Sequence, residues 1–285
     1  MDIRTWRDYE NYIYEEICFK LPGATVTKNA KVAGKTSKIV REVDVCVVEK
    51  FGTDKIISAI DCKYYNKKVS IKTVESAIGM AEDIGCDRFI IVTNKGYTDA
   101  AYERVSSLSS NIELEILSPT QLSQFQGAFG IPHAGGAGAL LLAPFAWVID
   151  STRYGLGPAV MYPITHSFES ALYHTNFMYV GFWLKSKNND SIDDLHSMMV
   201  MRVRSFYGND VITTLVPHFQ NSDHQSVISK SNAQANLIEI RGILDFGEYL
   251  FFCVANTTRR HEKSAIRNIK HVVWHTKPLR LKFER

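Results

Sequence analysis

The chain has 285 residues, 45% of them hydrophobic and 22% charged, with a net charge of +3. This globular composition argues against a chain dominated by disorder and leaves room for one large or two ordinary domains. The longest apolar run, Ala137 to Ile149, is too short to span a bilayer, and the charged start MDIRTWRDYE lacks the apolar core of a secretory signal, so a cytoplasmic protein with no membrane partner is expected. Five scattered cysteines without a C-x-x-C pair argue against a disulfide framework or a zinc site and fit reduced thiols.

In chain order, the first helix is expected over Thr5 to Lys20. Trp6, Tyr9, Ile13 and Ile17 recur at helical spacing, Thr5 or Asp2 can cap the start, and Leu21-Pro22-Gly23 stops it. Glu10, Glu15 and Glu16 are the acids it carries. Ala24 to Val32 alternates weakly as a strand, followed by a basic loop from Ala33 to Lys38. Ile71 to Ile84 reads as a helix closed by Gly85, and Phe89 to Val92 as a short buried strand. Tyr97 to Ser106 is helical again and Ile112 to Leu117 is a strand. The expected order is α-β-β-β-α-β-α-β, a mixed sheet with helices on both faces.

The glycine-rich stretch near Gln126 sets the expected boundary between domains at 1–126 and 127–285. Strands are expected at Leu140 to Ile149, Phe177 to Leu184, Val211 to Val216, Asn236 to Phe246, Tyr249 to Ala255 and His271 to Trp274, with a helix at Ile192 to Phe206. The second domain is therefore α+β and strand-rich. Charge is unevenly spread: Thr257 to the end carries 9 Lys and Arg against 2 acids, and Lys28, Lys31, Lys35, Lys38 and Arg41 form a second basic run. Two such stretches suit a binder of phosphate backbone, although solvated faces look the same in sequence.

Between the basic loop and the second helix lies the stretch that carries chemistry, Arg41 to Tyr65. Val43, Val45 and Val47 alternate with their neighbours, Phe51-Gly52-Thr53-Asp54 interrupts, and Ile56 to Lys63 runs β-branched and apolar, the pattern of a hairpin. With Gly52-Thr53 as a two-residue turn, Asp44 lies across from Asp61 at a Cβ separation of roughly 4.5–5.5 Å. Lys63 shares their face. Facing carboxylates repel unless a cation sits between them, and one adjacent lysine meets that need only in part. A divalent metal meets it fully, so the hairpin points to a Mg²⁺ site of the kind that hydrolyses a phosphodiester.

Other motifs are weaker. Gly34-Lys35-Thr36 ends like a P-loop, but Asn29 stands where the pattern needs its first glycine and a strand follows instead of a helix. Gly155-Leu156-Gly157 lacks a third glycine, His271 and His275 lack a third ligand nearby, and no G-x-S-x-G is present.

Tyr9-Glu10, Arg41-Glu42-Val43-Asp44-Val45, Ile60-Asp61-Cys62-Lys63-Tyr64, Val92 to Tyr97 and Ala100-Ala101 together resemble the Mrr-like restriction endonucleases of the PD-(D/E)XK nuclease superfamily, over about residues 5 to 120. Asp61 is one methylene shorter than the Glu or Gln usual in that family. The resemblance implies an α/β, restriction-endonuclease-like mixed central sheet flanked by helices, followed here by the α+β domain of unrecognised family. It implies that Asp44, Asp61 and the carbonyl of Cys62 hold Mg²⁺, with Mn²⁺ as a substitute. Lys63 would stabilise charge or position the attacking water, and Glu10 would complete the metal shell, with Glu15 as its rival. Lys35, Lys38 and Arg41 would guide the backbone of DNA, and Tyr64 or Tyr65 would pack on sugar or base.

The activity implied is Mg²⁺-dependent endonucleolytic cleavage of DNA in restriction or anti-phage defence. A duplex cut by single-strand sites would call for a homodimer or higher oligomer. Three other readings stay open: a nuclease fold without turnover, a nuclease selective for RNA or structure, and a nuclease gated by a small-molecule activator at the second domain.

Overall fold

The computed structural model describes residues 3–108, 112–133, 136–153, 155, 157–185, 190–234 and 236–280. The chain forms two compact units, Met1–Phe125 and Gln126–Arg285.

The first unit begins with helix α1 (Trp6–Lys20), fixed at its start by a capping box in which Thr5 and Asp8 satisfy each other's backbone N–H. Its buried stripe is Tyr9, Ile13 and Ile17, and each isoleucine removed from water contributes about 1.5–3 kcal/mol. Trp6, expected on that stripe, is the first residue of the helix and is 54% exposed. Strands β1 (Thr25–Ala33), β2 (Val40–Phe51) and β3 (Asp54–Lys63) follow, then α2 (Ile71–Ile84), β4 (Arg88–Thr93), α3 (Asp99–Ser106), β5 (Glu113–Leu117) and α4 (Pro119–Gln124). The sheet runs β1-β2-β3-β4-β5. Its first three strands pair antiparallel, and β3-β4 and β4-β5 pair parallel through the crossover helices.

Helices α2 and α3 cover one face, where Val74, Ala77, Ile78 and Ala101 pack with Ala59, Phe89 and Ile91. Ile90 and Val92 have the opposite parity and are equally buried, so β4 is covered on both faces as its wholly apolar run requires. Gly85 ends α2 in the left-handed region at φ +62°, a conformation glycine takes without a Cβ penalty.

The second unit is antiparallel throughout. Strands β6 (Ala128–Pro132), β7 (Ala137–Leu142) and β15 (Lys277–Arg280) make a three-stranded sheet in the order β15-β7-β6. The larger sheet runs β11 (Ile212–Leu215), β12 (Ser226–Asn232), β13 (Leu237–Asp245), β14 (Tyr249–Thr258), β10 (Phe177–Leu184), β9 (Ala159–Pro163) and β8 (Trp147–Asp150). Helix α5 (Phe168–Tyr173) packs on β9 and β10. Helix α6 (Ile192–Tyr207) lays Ile192, Leu195 and Met199 on Ile243, Leu250 and Val254. On the other face α7 (Glu262–His275) approaches so closely that a Cβ at Gly242 would collide with Val273.

Two expectations fail here. His271 to Trp274 is the last turn of α7, not a strand, because Ala265, Ile269, Val272 and Val273 form a buried helical stripe that outweighs the local β-branched pair. Leu140 to Ile149 is not one strand: Pro144 has no N–H to give a ladder and Ala146 sits at φ +64°, so the chain breaks between β7 and β8. No helix among the described residues is long and apolar enough to cross a membrane.

Candidate active site

The β2-β3 ladder closes with Phe51 opposite Asp54 and opens with Val45 opposite Ile60, so Gly52-Thr53 is the turn and Asp44 is the next residue out, beside Asp61. The Cys62 N–H donates to Asp44 Oδ2 at 2.7 Å. Lys63 Nζ lies 2.6 Å from Asp61 Oδ1, both side chains being about a fifth exposed. Thus Asp44, Asp61 and Lys63 meet at the end of the hairpin, in an open cleft of about 500 Å³ whose opposite wall is α2.

Electrostatics follow from that placement. Burial pushes the Asp44 carboxyl up to about 6 against the Cys62 N–H that favours its charge, and Asp61, within hydrogen-bond range, and Glu10 push it further. Burial acts to lower Lys63, but the Asp61 carboxylate more than offsets it, so the ammonium is held above its ordinary pKa. The Cys62 thiol is driven up by burial and by the surrounding carboxylates, which leaves its backbone as its polar contribution. Burial also raises Glu10, which lies within electrostatic reach of Lys28, Glu42 and Asp61. Glu10 therefore joins the acidic end of the site, whereas Glu15 is exposed more than a turn further along α1.

Three positions missed in sequence line the cleft from α2, namely Lys72, Thr73 and Ser76. They are polar residues at helical spacing immediately after the site strand, and that was their available signal. Tyr65 lines the cleft, with Lys63 Nζ 5.9 Å from its ring centroid, and its N–H donates to Asn94 Oδ1. Tyr64 turns away and packs on Tyr9 of α1 with ring centroids 5.4 Å apart.

The basic loop is tied down one turn beyond the cleft wall. Asp83, near the end of α2, accepts from the backbone N–H of Thr36 and Ser37, from the Ser37 hydroxyl at 2.6 Å and from Arg41 Nε at 2.8 Å. The Ser37 hydroxyl and N–H, with Arg41, hold the Asp83 carboxyl well below the usual carboxylate range. Lys35 donates to the Gly85 carbonyl and Lys38 to the Lys35 carbonyl. Arg41 is thus occupied by Asp83, while the Lys35 and Lys38 side chains are hydrogen-bonded to backbone carbonyls.

Whether the site suits a metal is a question of its donors. Two carboxylates and a backbone carbonyl offer hard oxygen, and the raised Asp44 shows a carboxylate short of positive charge, so the set fits a hard divalent cation. No group of three or more His, Cys, Asp or Glu side chains poised for a metal occurs among the described residues. A cation here would accordingly keep water ligands.

A mixed five-stranded sheet flanked by helices, with an acid pair and a lysine where an antiparallel hairpin meets the parallel half, defines an α/β nuclease domain. Residues 5–124 match the restriction endonuclease family Mrr_cat, and the N-terminal unit carries a domain of that family. Such domains act on DNA and generally use divalent metals. No curated protein matches the chain.

Among solved structures it is similar to AF1548, a protein of unknown function, at 19% identity and TM-score 0.33, covering 43% of this chain and 68% of that one. It is similar to the cyanobacterial PsbP, CyanoP, of Synechocystis sp. PCC 6803 at 8% identity and TM-score 0.38, covering 53% and 92%. A third likeness is to the DNA modification-dependent restriction endonuclease AspBHI at 12% identity and TM-score 0.26, covering 42% of this chain and 35% of that one.

Proposed function

We propose that the N-terminal unit is a Mg²⁺-dependent DNA endonuclease. The observation that carries this reading is the meeting of Asp44, Asp61 and Lys63 in one open cleft. Asp44, Asp61 and the Cys62 carbonyl would hold Mg²⁺, or Mn²⁺ in its place, with Glu10 adding negative charge from α1. The chemistry a bound cation supplies is neutralisation of phosphate charge and acidification of a water. Lys63 is held charged by Asp61, so it stabilises the negative charge that develops on the phosphate and does not serve as a base. Lys72, Thr73 and Ser76 offer one cation and two hydroxyls to the scissile strand from across the cleft, and Lys35 and Lys38 follow its backbone. A role in restriction or anti-phage defence fits the family, and cutting both strands takes two copies of the chain.

Nicking of supercoiled plasmid is the test. Cleavage should require Mg²⁺ or Mn²⁺ and disappear in Asp61→Ala and Lys63→Ala, with circular dichroism unchanged. Cleavage that survives both substitutions overturns the site assignment. An inert wild type across duplex DNA, single strands and RNA, with and without nucleotides, supports instead a nuclease fold without turnover.

A further inference from the structure

The second unit has a cavity of its own that the nuclease reading does not use. It measures about 390 Å³ and lies between α6 and the seven-stranded sheet, within the size range of small-molecule sites. Its walls are largely aromatic or soft: Tyr179, Trp183 and Phe252 from the sheet, and Met198 and Met199 from α6. Among the described lining residues Glu239 is the one carboxylate and Arg202 the one guanidinium, with Asn256 as the one carboxamide. Glu239 and Asn256 stand directly opposite each other on β13 and β14. Their side chains therefore share a face and form one polar edge.

Behind that edge is Arg241, whose side chain is 0% exposed. Its Nη2 donates to the Ser231 hydroxyl and its Nε lies 3.3 Å from Glu239 Oε1, yet Nε and Nη1 make no hydrogen bond. A fully buried guanidinium with unmet donors is uncommon in a native core and asks for a reason. Opposing the desolvation of Glu239 beneath a pocket supplies one: burial leaves the Glu239 carboxyl raised, and Arg241, with Arg202, offsets that rise in part and favours the ionised form. Burial likewise pushes the Tyr179 phenol up to about 12, which leaves its O–H a donor. Two guanidinium groups against one carboxylate leave the pocket region with an excess positive charge.

We propose that this cavity binds a nucleotide, the base slotted among Phe252, Trp183 and Met199 and the phosphate on Arg202. Aromatic walls accept a flat ring from either face. An ionised carboxylate beside a carboxamide matches a base edge with two adjacent N–H donors and a carbonyl, which is the guanine edge. Arg202 is exposed at the rim, where a planar fork can take a phosphate without a desolvation cost. The nucleotide can be free in solution or part of a nucleic-acid strand, and the chemistry of recognition is the same. The inference does not depend on the nuclease reading.

Calorimetric titration of the full chain, with metal chelated, tests it with GMP, guanosine, AMP and a single-stranded oligonucleotide carrying one unpaired guanine. GMP should bind more tightly than guanosine and than AMP, each by about tenfold or more. Arg202→Ala should bring GMP down to the guanosine level and leave guanosine unchanged. Glu239→Gln should weaken both by about 10- to 100-fold, the range for a hydrogen bond to a charged group. Binding of the oligonucleotide alone, lost in Glu239→Gln, also supports the site and assigns it to a nucleotide within a strand. AMP binding as tightly as GMP overturns the base assignment. Absence of binding by every probe, or binding indifferent to both substitutions, overturns the site. Arg202 lies on the exposed face of α6, so its variant decides the matter even where Glu239→Gln fails to fold.

Discussion

Asp44 is placed where its charge costs stability, a cost the proposed metal site would offset, and its size is measurable. Its folded-state pKa of about 6 lies above the ordinary 3.8. A carboxyl raised in the folded state adds stability that is fully present below the unfolded pKa and lost as pH rises through the folded one. In chelator at pH 8, therefore, the ionised Asp44 destabilises the N-terminal unit, by about 3 kcal/mol at 1.36 kcal/mol per pKa unit. The cleft is open to solvent, and screening there leaves about 1–2 kcal/mol. Asp44→Asn removes the charge but keeps an oxygen for the Cys62 N–H. It should raise the melting temperature of the unit in EDTA at pH 8 by roughly 3–8 °C, for a domain of about this size. The gain should vanish near pH 4, where the wild-type carboxyl is already protonated. Excess Mg²⁺ should stabilise the wild type and not the variant, and cleavage should be lost. Scanning calorimetry of the full chain at the two pH values measures this. A variant no more stable than wild type at pH 8, or equally stabilised at both, refutes the placement of Asp44 in a charge-starved site.

Lys63→Met should lower the single-turnover cleavage rate by about 10²- to 10³-fold while DNA affinity in Ca²⁺ stays within a few-fold, as expected for a residue that stabilises developing charge; an equal loss of affinity would make it a binding residue. Asp83→Ala should speed amide exchange at Thr36 and Ser37, whose N–H groups lose their acceptor, and unchanged protection would show that the loop is held by other contacts. In the second unit burial, with His174 and His261, pulls His166 down to about 4. A depressed folded-state pKa gives stability that is present above about pH 6.5 and lost as pH falls through about 4. His166→Gln should flatten that acid limb in calorimetry, and an unaltered limb would assign it to another group.

Much of the N-terminal unit was legible because its signals are local. Val43, Val45 and Val47 alternate, Gly52 turns the chain, Thr5 caps α1 and Gly85 closes α2, so each element is specified within its own few residues. What escaped was set by packing. Lys72, Thr73 and Ser76 belong to the site only because α2 lies across the hairpin, and Asp83 meets Arg41 across 42 residues of sequence. Alternation could not choose between Tyr64 and Tyr65, since the strand ends at Lys63. In the second unit β12 reads as SVISKSN, polar enough to pass for a loop, and β9 is short and ends in Pro163.

The two pockets make the difference concrete, because each rests on a cross-strand pair. Asp44 and Asp61 flank a ladder closed by the two-residue turn Gly52-Thr53, and so short a turn fixes the register from sequence. Glu239 and Asn256 also face each other, at the far end of a hairpin in which the Phe246 N–H donates to the Tyr249 carbonyl across Gly247-Glu248, with Gly247 at φ +85°. The pair lies seven residues from that turn, and a slip of one residue would carry Glu239 to the α7 face. The pairing is held against such a slip by what the sheet must bury: Ile243, Leu250 and Val254 under α6, and Gly242 where α7 comes closest. The polar edge under α6 is therefore a consequence of how two helices sandwich the sheet, and it became visible only with the fold.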